Sequence, residues 1–271
     1  MRVAIIGGGT IGRLFLEHIR RGDLGRARVV AIVGRSEQSK GRQLAKSYRV
    51  PFVVGLKALL AKKPDVVVEA ASHDAVREYG EGVLRKKMAL IVLSGGALSD
   101  DALRNRLERA AMKSRGLLYV PSGGIGGLDA LKAACAAGVD EVTIAVTKPP
   151  PAWKGIPYVE QLGVDLDALR EPYILFDGPA RKGVPLFPAN VNIAAVLSMA
   201  GIGFDRTRLK VVAVPGLTHN THFIDIKGSA GNISVKLENV PAPENPKTAW
   251  LACYSALAAL KAAKSPVRYG T

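Results

Sequence analysis

The chain has 271 residues, is 48% hydrophobic and carries a formal charge of +15 with a pI near 10. That length accommodates one large domain or two smaller ones, no apolar run reaches the ~18 residues of a membrane helix, and a chain opening on a core strand shows no signal peptide. The basic residues are scattered over polar helix faces and helix ends, with 6% aromatics to interleave with them, so the charge reads as a solvated face and not as a nucleic-acid surface.

Val3 to Ile6 is a short β-branched run that leads into Gly7-Gly8-Gly9-Thr10-Ile11-Gly12, and helical spacing follows through Ile19. This predicts strand, tight turn and helix with G-x-G-x-x-G spacing. Gly7 permits the turn, Gly9 lets a pyrophosphate approach the backbone, and Gly12 lets the helix pack on the strand. The helix start, with Thr10 and Ile11, turns free N–H groups toward phosphate. A second strand, Arg28 to Val33, ends at Gly34-Arg35-Ser36 with no acidic residue to hold a ribose. Arg35 and Ser36 suit a 2′-phosphate, which favours NADP or dual use.

The same alternation continues to residue 121. Strands are predicted at Val50–Val54, Asp65–Ala71, Ala89–Leu93 and Leu117–Val120, with helices between them. Ser72 and either Ser99 or Asp100 are expected as helix caps. Ala71 and Ser94, at strand C-terminal ends, are expected cofactor contacts, and Ser94-Gly-Gly-Ala-Leu98 is expected to be a ligand loop. The fold class is therefore α/β, an N-terminal Rossmann-type parallel sheet.

The pattern changes after Pro121. A glycine turn, Ser122 to Leu128, precedes an alanine-rich helix, and Glu141–Thr147 is a strand. Phe176-Asp-Gly-Pro179 reads as a turn. Asn190 and Asn192 open an apolar helix, either one serving as its N-cap or reaching a ligand. Strands at Leu209–Pro215, Thr221–Ile226 and Asn232–Leu237, the last two a hairpin about Gly228–Gly231, make the second half an α+β catalytic domain. Pro241–Thr248 reads as an ordered loop before a final helix at Ala249–Ala263. The expected domains are 1–121, with 244–271 packing back onto it, and 122–243 for catalysis and oligomerisation. Cys135 and Cys253 read as buried small hydrophobes in a cytoplasmic protein, and no Cys/His spacing suggests a metal.

The turn Ser122–Leu128, the segments Phe187-Pro-Ala-Asn-Val-Asn192, Asn220-Thr-His222 and Pro243-Glu-Asn-Pro-Lys-Thr248, together with Ser94–Leu98 and Lys148-Pro-Pro150, resemble the L-aspartate dehydrogenase family over nearly the whole chain. The resemblance implies a two-domain enzyme that interconverts L-aspartate with oxaloacetate and ammonia through iminoaspartate, using NAD or NADP. The iminoaspartate can feed NAD biosynthesis. By motif, the catalytic histidine is His222, and cofactor contacts fall on Gly124 and Asn190. Gly124 stands where the family usually has alanine, and Gly95 where a non-glycine residue is more usual. The nearby His219 leaves the choice of histidine open.

On this reading His222 accepts a proton from the substrate amine or from the water that attacks the imine. The substrate carboxylates need donors, and Lys148, Asn192 and Asn220 are the expected contacts, with Lys247 a further clamp. The family implies a homodimer or homotetramer, for which the open face of the second sheet could supply the interface, while the scattered charge and short apolar runs lead to an expectation of neither nucleic acid nor membrane as partner. The alternatives are another two-domain dehydrogenase, of the homoserine dehydrogenase or dihydrodipicolinate reductase type, and a non-catalytic NAD(P)-binding regulator.

Overall fold

The computed structural model describes residues 1–188, 190–242, 245–263 and 267, and for 245–248 the backbone alone. The chain forms two compact units, Met1–Pro121 with Cys253–Val267, and Ser122–Ala252.

In the first unit six strands pair in parallel: β1 (Arg2–Ile6), β2 (Arg28–Gly34), β3 (Phe52–Val54), β4 (Val66–Glu69), β5 (Ala89–Val92) and β6 (Leu117–Tyr119). Their order is β3-β2-β1-β4-β5-β6. The chain thus works outward from β1 in one direction, returns to β4 and works outward in the other. That reversal is where open parallel sheets bind ligands, outside the strands' carboxyl ends. The connecting helices are α1 (Thr10–Arg21), α2 (Lys40–Tyr48), α3 (Leu56–Ala61), α4 (His73–Arg85) and α5 (Asp101–Ser114). Helices cover both faces of such a sheet, so its central strands are apolar throughout. Val66, Val67 and Val68 are accordingly buried. Ser72 caps α4 by accepting from the Ala75 N–H, and Asp100 caps α5 by accepting from Leu103.

The second unit contains α6 (Leu128–Ala137), β7 (Val139–Lys148), α7 (Pro157–Gln161), β8 (Tyr173–Pro179), α8 (Ala180–Leu186), α9 (Asn192–Ala200), β9 (Thr207–Ala213), β10 (Asn220–Gly228) and β11 (Gly231–Asn239). Its sheet runs β11-β10-β7-β9-β8. Only the β7–β9 pair is parallel. One face carries Val142, Ile144 and Val146 of β7, Leu209 and Val211 of β9, and Ile224 and Ile226 of β10. With Leu131, Phe187, Ala194 and Leu197 from the helical side, these residues form one core.

Two expectations are corrected here. Phe176–Pro179 is not a turn but the end of β8. Gly178 and Pro179 are tolerated because β8 is an edge strand with one side unpaired. Pro241–Thr248 is not all loop, since β12 (Pro241–Ala242) pairs with β13 (Asn245–Ala249). The last helix, α10 (Trp250–Ala262), starts in the second unit and continues in the first. There Ala256, Leu257, Ala259 and Leu260 pack in the core with Val3, Ile5 and Phe15. Among the described residues no helix is long and apolar enough to cross a membrane, and no cluster of potential metal ligands occurs. Both cysteines are free thiols, Cys253 buried and Cys135 partly so.

Candidate active site

The glycines of the first loop differ in what surrounds them. Gly7 has φ +109°, and a Cβ there would lie 2.6 Å from the Ala70 carbonyl oxygen. A Cβ on Gly12 would lie 2.8 Å from the Gly7 carbonyl oxygen, so α1 sits directly on the turn. Gly9 has no atom within 4 Å of where a Cβ would be, so the protein's own packing does not demand a glycine there. The open side is what a pyrophosphate needs to reach backbone N–H groups. Gly9 is also the N-cap of α1 and makes no side-chain capping bond, and Arg13 is the first residue to donate to it. The N–H groups of Thr10, Ile11 and Gly12 therefore precede the first intrahelical bond. These residues fit a dinucleotide. Gly8, unassigned by the motif, packs against α2, where a Cβ would meet the Gly41 Cα at 2.2 Å.

At the end of β2, Arg35 is exposed and Ser36 half-buried, and the Ser36 N–H donates to Ser39 Oγ at 3.0 Å. The nearest acidic side chain, Glu37, is held by Arg42. Sequence reasoning passed over Glu37. Both partners of that pair are exposed, so Glu37 lies at the surface beside Arg35 and Ser36.

β4 and β5 end at a shared carboxylate that sequence reasoning also missed. Glu69 is fully buried, yet Ala71 and Ser72 just beyond it are exposed. Its Oε1 accepts from the Ala71 N–H at 2.8 Å, the Ser72 N–H at 2.9 Å and Ser94 Oγ at 2.9 Å, and its Oε2 accepts from the Ser94 N–H at 3.0 Å. Burial raises the carboxyl pKa, and the four donors pull it back only in part. The expected ligand loop at Ser94–Leu98 is a 3-10 helix over Gly95–Ser99, with Gly95 to Leu98 buried. Its backbone is closed into the fold, and the Ser94 hydroxyl is committed to Glu69.

In the second unit the strand register assembles a polar end to an otherwise apolar face. Ala213, Lys148, Asn220 and Asn239 lie in one row across β9, β7, β10 and β11, and Val211, Val146, His222 and Leu237 lie in the next. Lys148, Asn220, Asn239 and His222 are all buried. Lys148 Nζ donates to Asn190 Oδ1 at 3.2 Å and lies 5.2 Å from the centre of the Trp153 ring. Asn239 Nδ2 donates to the Gly124 carbonyl at 2.8 Å. The row thus ties together the glycine turn, the Asn190 segment and the strand carrying His222.

Burial, and then the positive charge of Lys148, push the His222 pKa down to about 3. The imidazole is neutral throughout the physiological range. Among the described residues neither its Nδ1 nor Asn220 Nδ2 has a hydrogen-bond partner. A buried polar atom without a partner costs about 1–3 kcal/mol. Two of them in adjacent rows mark a place built to receive polar groups from a ligand. His219 stands differently, half-buried in the loop before β10, with its Nδ1 2.8 Å from Thr218 Oγ1.

Neither asparagine of the 190–192 segment caps α9. Its N-cap is Val191, which makes no side-chain bond, and Asn190 turns to Lys148 instead. Asn192 is the first residue of α9 and is half-buried. The Lys247 side chain lies outside the described residues. A Cβ on Gly124 would come 3.2 Å from that of Ala249, so an alanine there fits once this neighbour yields by a few tenths of an ångström.

Comparison with known proteins agrees with both halves. Residues 7–121 match the family model described as the NAD binding domain of homoserine dehydrogenase, and residues 129–263 match that described as aspartate dehydrogenase, C-terminal. The L-aspartate dehydrogenases of Methanosarcina acetivorans and Methanosarcina mazei are 41% and 42% identical to this chain, each alignment covering 100% of both proteins. The crystal structure of aspartate dehydrogenase from Thermotoga maritima superposes with a TM-score of 0.72 at 29% identity, over 100% of this chain and 99% of that one. With a glycine loop shaped for a dinucleotide, a buried neutral histidine at the end of a core sheet, and relatives matched end to end, the chain belongs to the L-aspartate dehydrogenase family.

Proposed function

We propose that this protein is an NAD(P)-dependent L-aspartate dehydrogenase with His222 as its catalytic base. The observation that carries the reading is the neutral, buried imidazole of His222 with an unpartnered Nδ1, in the row next to Lys148 and Asn220. When bound, the nicotinamide ring supplies the hydride acceptor. The chain's own residues handle the amine, the carboxylates and water.

An ammonium cannot release hydride from its Cα, so the aspartate amine must first lose a proton. A desolvated neutral imidazole has a lone pair ready for it, and two carboxylates brought alongside raise its proton affinity. Lys148, Asn192 and Asn220 are the proposed carboxylate contacts. They offset the cost of taking a dianion out of water. Water then adds to the imine carbon of iminoaspartate. His222, having passed the amine proton to solvent, takes a proton from that water and returns it to the nitrogen, which leaves as ammonia as the hydroxyl proton departs and the C=O of oxaloacetate forms. In the dinucleotide half the proposed contacts are Gly7, Gly9, Thr10, Ile11, Gly12, Arg35, Ser36, Ala71 and Ser94, with Gly124 and Asn190 from the second unit. The reading includes a homodimer or homotetramer built through the outer face of the second sheet, where Ile174 and Phe223 are 49% and 44% exposed.

The test is a steady-state assay with L-aspartate and each cofactor, run also in reverse with oxaloacetate and ammonia. His222→Ala is expected to bind reduced dinucleotide within about twofold of wild type and to lose roughly 10²–10⁴-fold in kcat. Wild-type turnover in that variant rules out the assignment.

A further inference from the structure

We infer that Glu69 is the positioning residue of the dinucleotide half: its carboxylate holds the exposed Ala71–Ser72 turn and the Ser94 end of β5 in the shape that receives the nicotinamide end of the cofactor. The inference rests on the dinucleotide reading above and goes beyond it by naming what builds the receiving surface.

Four donors from two separate segments converge on this side chain: the N–H groups of Ala71, Ser72 and Ser94, and the Ser94 hydroxyl. Only an ionised carboxylate is purely an acceptor with lone pairs enough for all of them. A glutamine would turn an NH₂ group toward converging donors. An aspartate keeps the charge but is one methylene short of them. Among the described residues no cation pairs with Glu69, so an ion pair does not account for a charge in this place. A buried carboxylate is costly to keep, and what it secures here is the course of two backbone segments.

Those segments occupy the ligand-binding end of the sheet. Glu69 is the last residue of β4, which pairs with β1 where the strand order reverses. The turn it holds is also pinned from the other side, because Gly7 of the phosphate loop packs on the Ala70 carbonyl. Ser72 in turn caps α4. The phosphate loop, the β4 turn and the end of β5 are therefore one connected surface with Glu69 beneath it.

The test uses the full-length protein and three readouts: hydrogen exchange at Ala71, Ser72 and Ser94 without cofactor, fluorescence titration with NADH and NADPH, and the KM for L-aspartate at saturating dinucleotide. In Glu69→Gln the three amides should exchange at least tenfold faster and the dinucleotide Kd should rise at least tenfold. The aspartate KM should change less than twofold, a split that a general loss of stability does not produce. Glu69→Asp, which restores the charge, should fall between wild type and Glu69→Gln. A dinucleotide Kd within twofold of wild type in Glu69→Gln, or equal losses for cofactor and aspartate, overturns the role. If Glu69→Gln does not fold, Glu69→Asp, which keeps the charge but stands one methylene short of the four donors, should raise the Kd three- to tenfold with the aspartate KM changed less than twofold, and no rise overturns the role. Failure of wild type to bind either dinucleotide overturns the dinucleotide reading itself. Wild-type binding matched by the variant overturns only the part given to Glu69.

Discussion

At the scale of single residues, His222 couples the site to stability. Its imidazole is neutral in the folded state, with a pKa lowered from 6.5 to about 3, whereas in the unfolded chain it protonates near its ordinary value. Between those values the unfolded state binds more protons. Stability is therefore fully present above about pH 6.5 and is lost as pH falls toward 3. At 1.36 kcal/mol for each tenfold change in proton affinity, the loss is at most about 5 kcal/mol. Glu69 acts in the opposite sense. Its raised pKa gives a contribution present when it is protonated and lost as pH rises through the folded value. The histidine's share is thus the difference between wild type and His222→Asn in thermal unfolding from about pH 7 to 4. The variant should lose less stability over that range, and superimposable curves would refute a buried neutral imidazole. The strand carrying His222 and the hairpin that follows it were legible in the sequence, while the choice of His222 itself came from the resemblance. Counting outward from the Gly228–Gly231 hairpin turn pairs Asn220 with Asn239 and His222 with Leu237. Glu69 was not, because its role depends on N–H groups that only the fold brings to it. The trace it left was a charged residue ending the buried run Val66-Val67-Val68.

Among the elements, the strand–turn–helix at the N-terminus shows how one motif divides its work. Gly8 is required by the protein itself, since a Cβ there would overlap the backbone of Gly41. Gly9 is not, since nothing lies near its Cβ position. The two alanine variants should therefore separate stability from binding. Gly8→Ala is expected to lower Tm by roughly 5 °C or more through displacement of α2. Gly9→Ala should leave Tm within about 2 °C and weaken dinucleotide binding about tenfold or more, because the methyl occupies the approach of the pyrophosphate. Unchanged affinity in Gly9→Ala, read by fluorescence titration, would remove the phosphate loop from the scheme. Period and glycine spacing made this element readable from residues 1–20. The opposite case is β8. Phe176-Asp-Gly-Pro179 has the composition of a turn, and only its place at a sheet edge, which local sequence does not encode, makes it a strand. The Gly8–Gly41 contact was equally hidden, since it joins a loop to a helix some thirty residues away.

For the molecule as a whole, the proposed assembly rests on the outer face of the second sheet. Ile174 and Phe223 stand exposed there, with Val212 and Ala145 across from them on β9 and β7. Sedimentation velocity should give a dimer or tetramer for wild type, and Phe223→Glu should shift it toward monomer. A monomeric wild type at micromolar concentration would exclude the assembly. A second property at this scale concerns order in time. The first unit is completed by α10, whose Ala256, Leu257, Ala259 and Leu260 fill a core begun by Val3, Ile5 and Phe15. During translation, at about 5–20 residues per second, roughly seven to thirty seconds separate Pro121 from Leu260 at the ribosome. Over that interval the nascent nucleotide-binding half lacks part of its interior, and the strands of the second sheet, β7 to β11, are made within it. The half whose strands are made first thus acquires its full interior only after the strands of the other half exist.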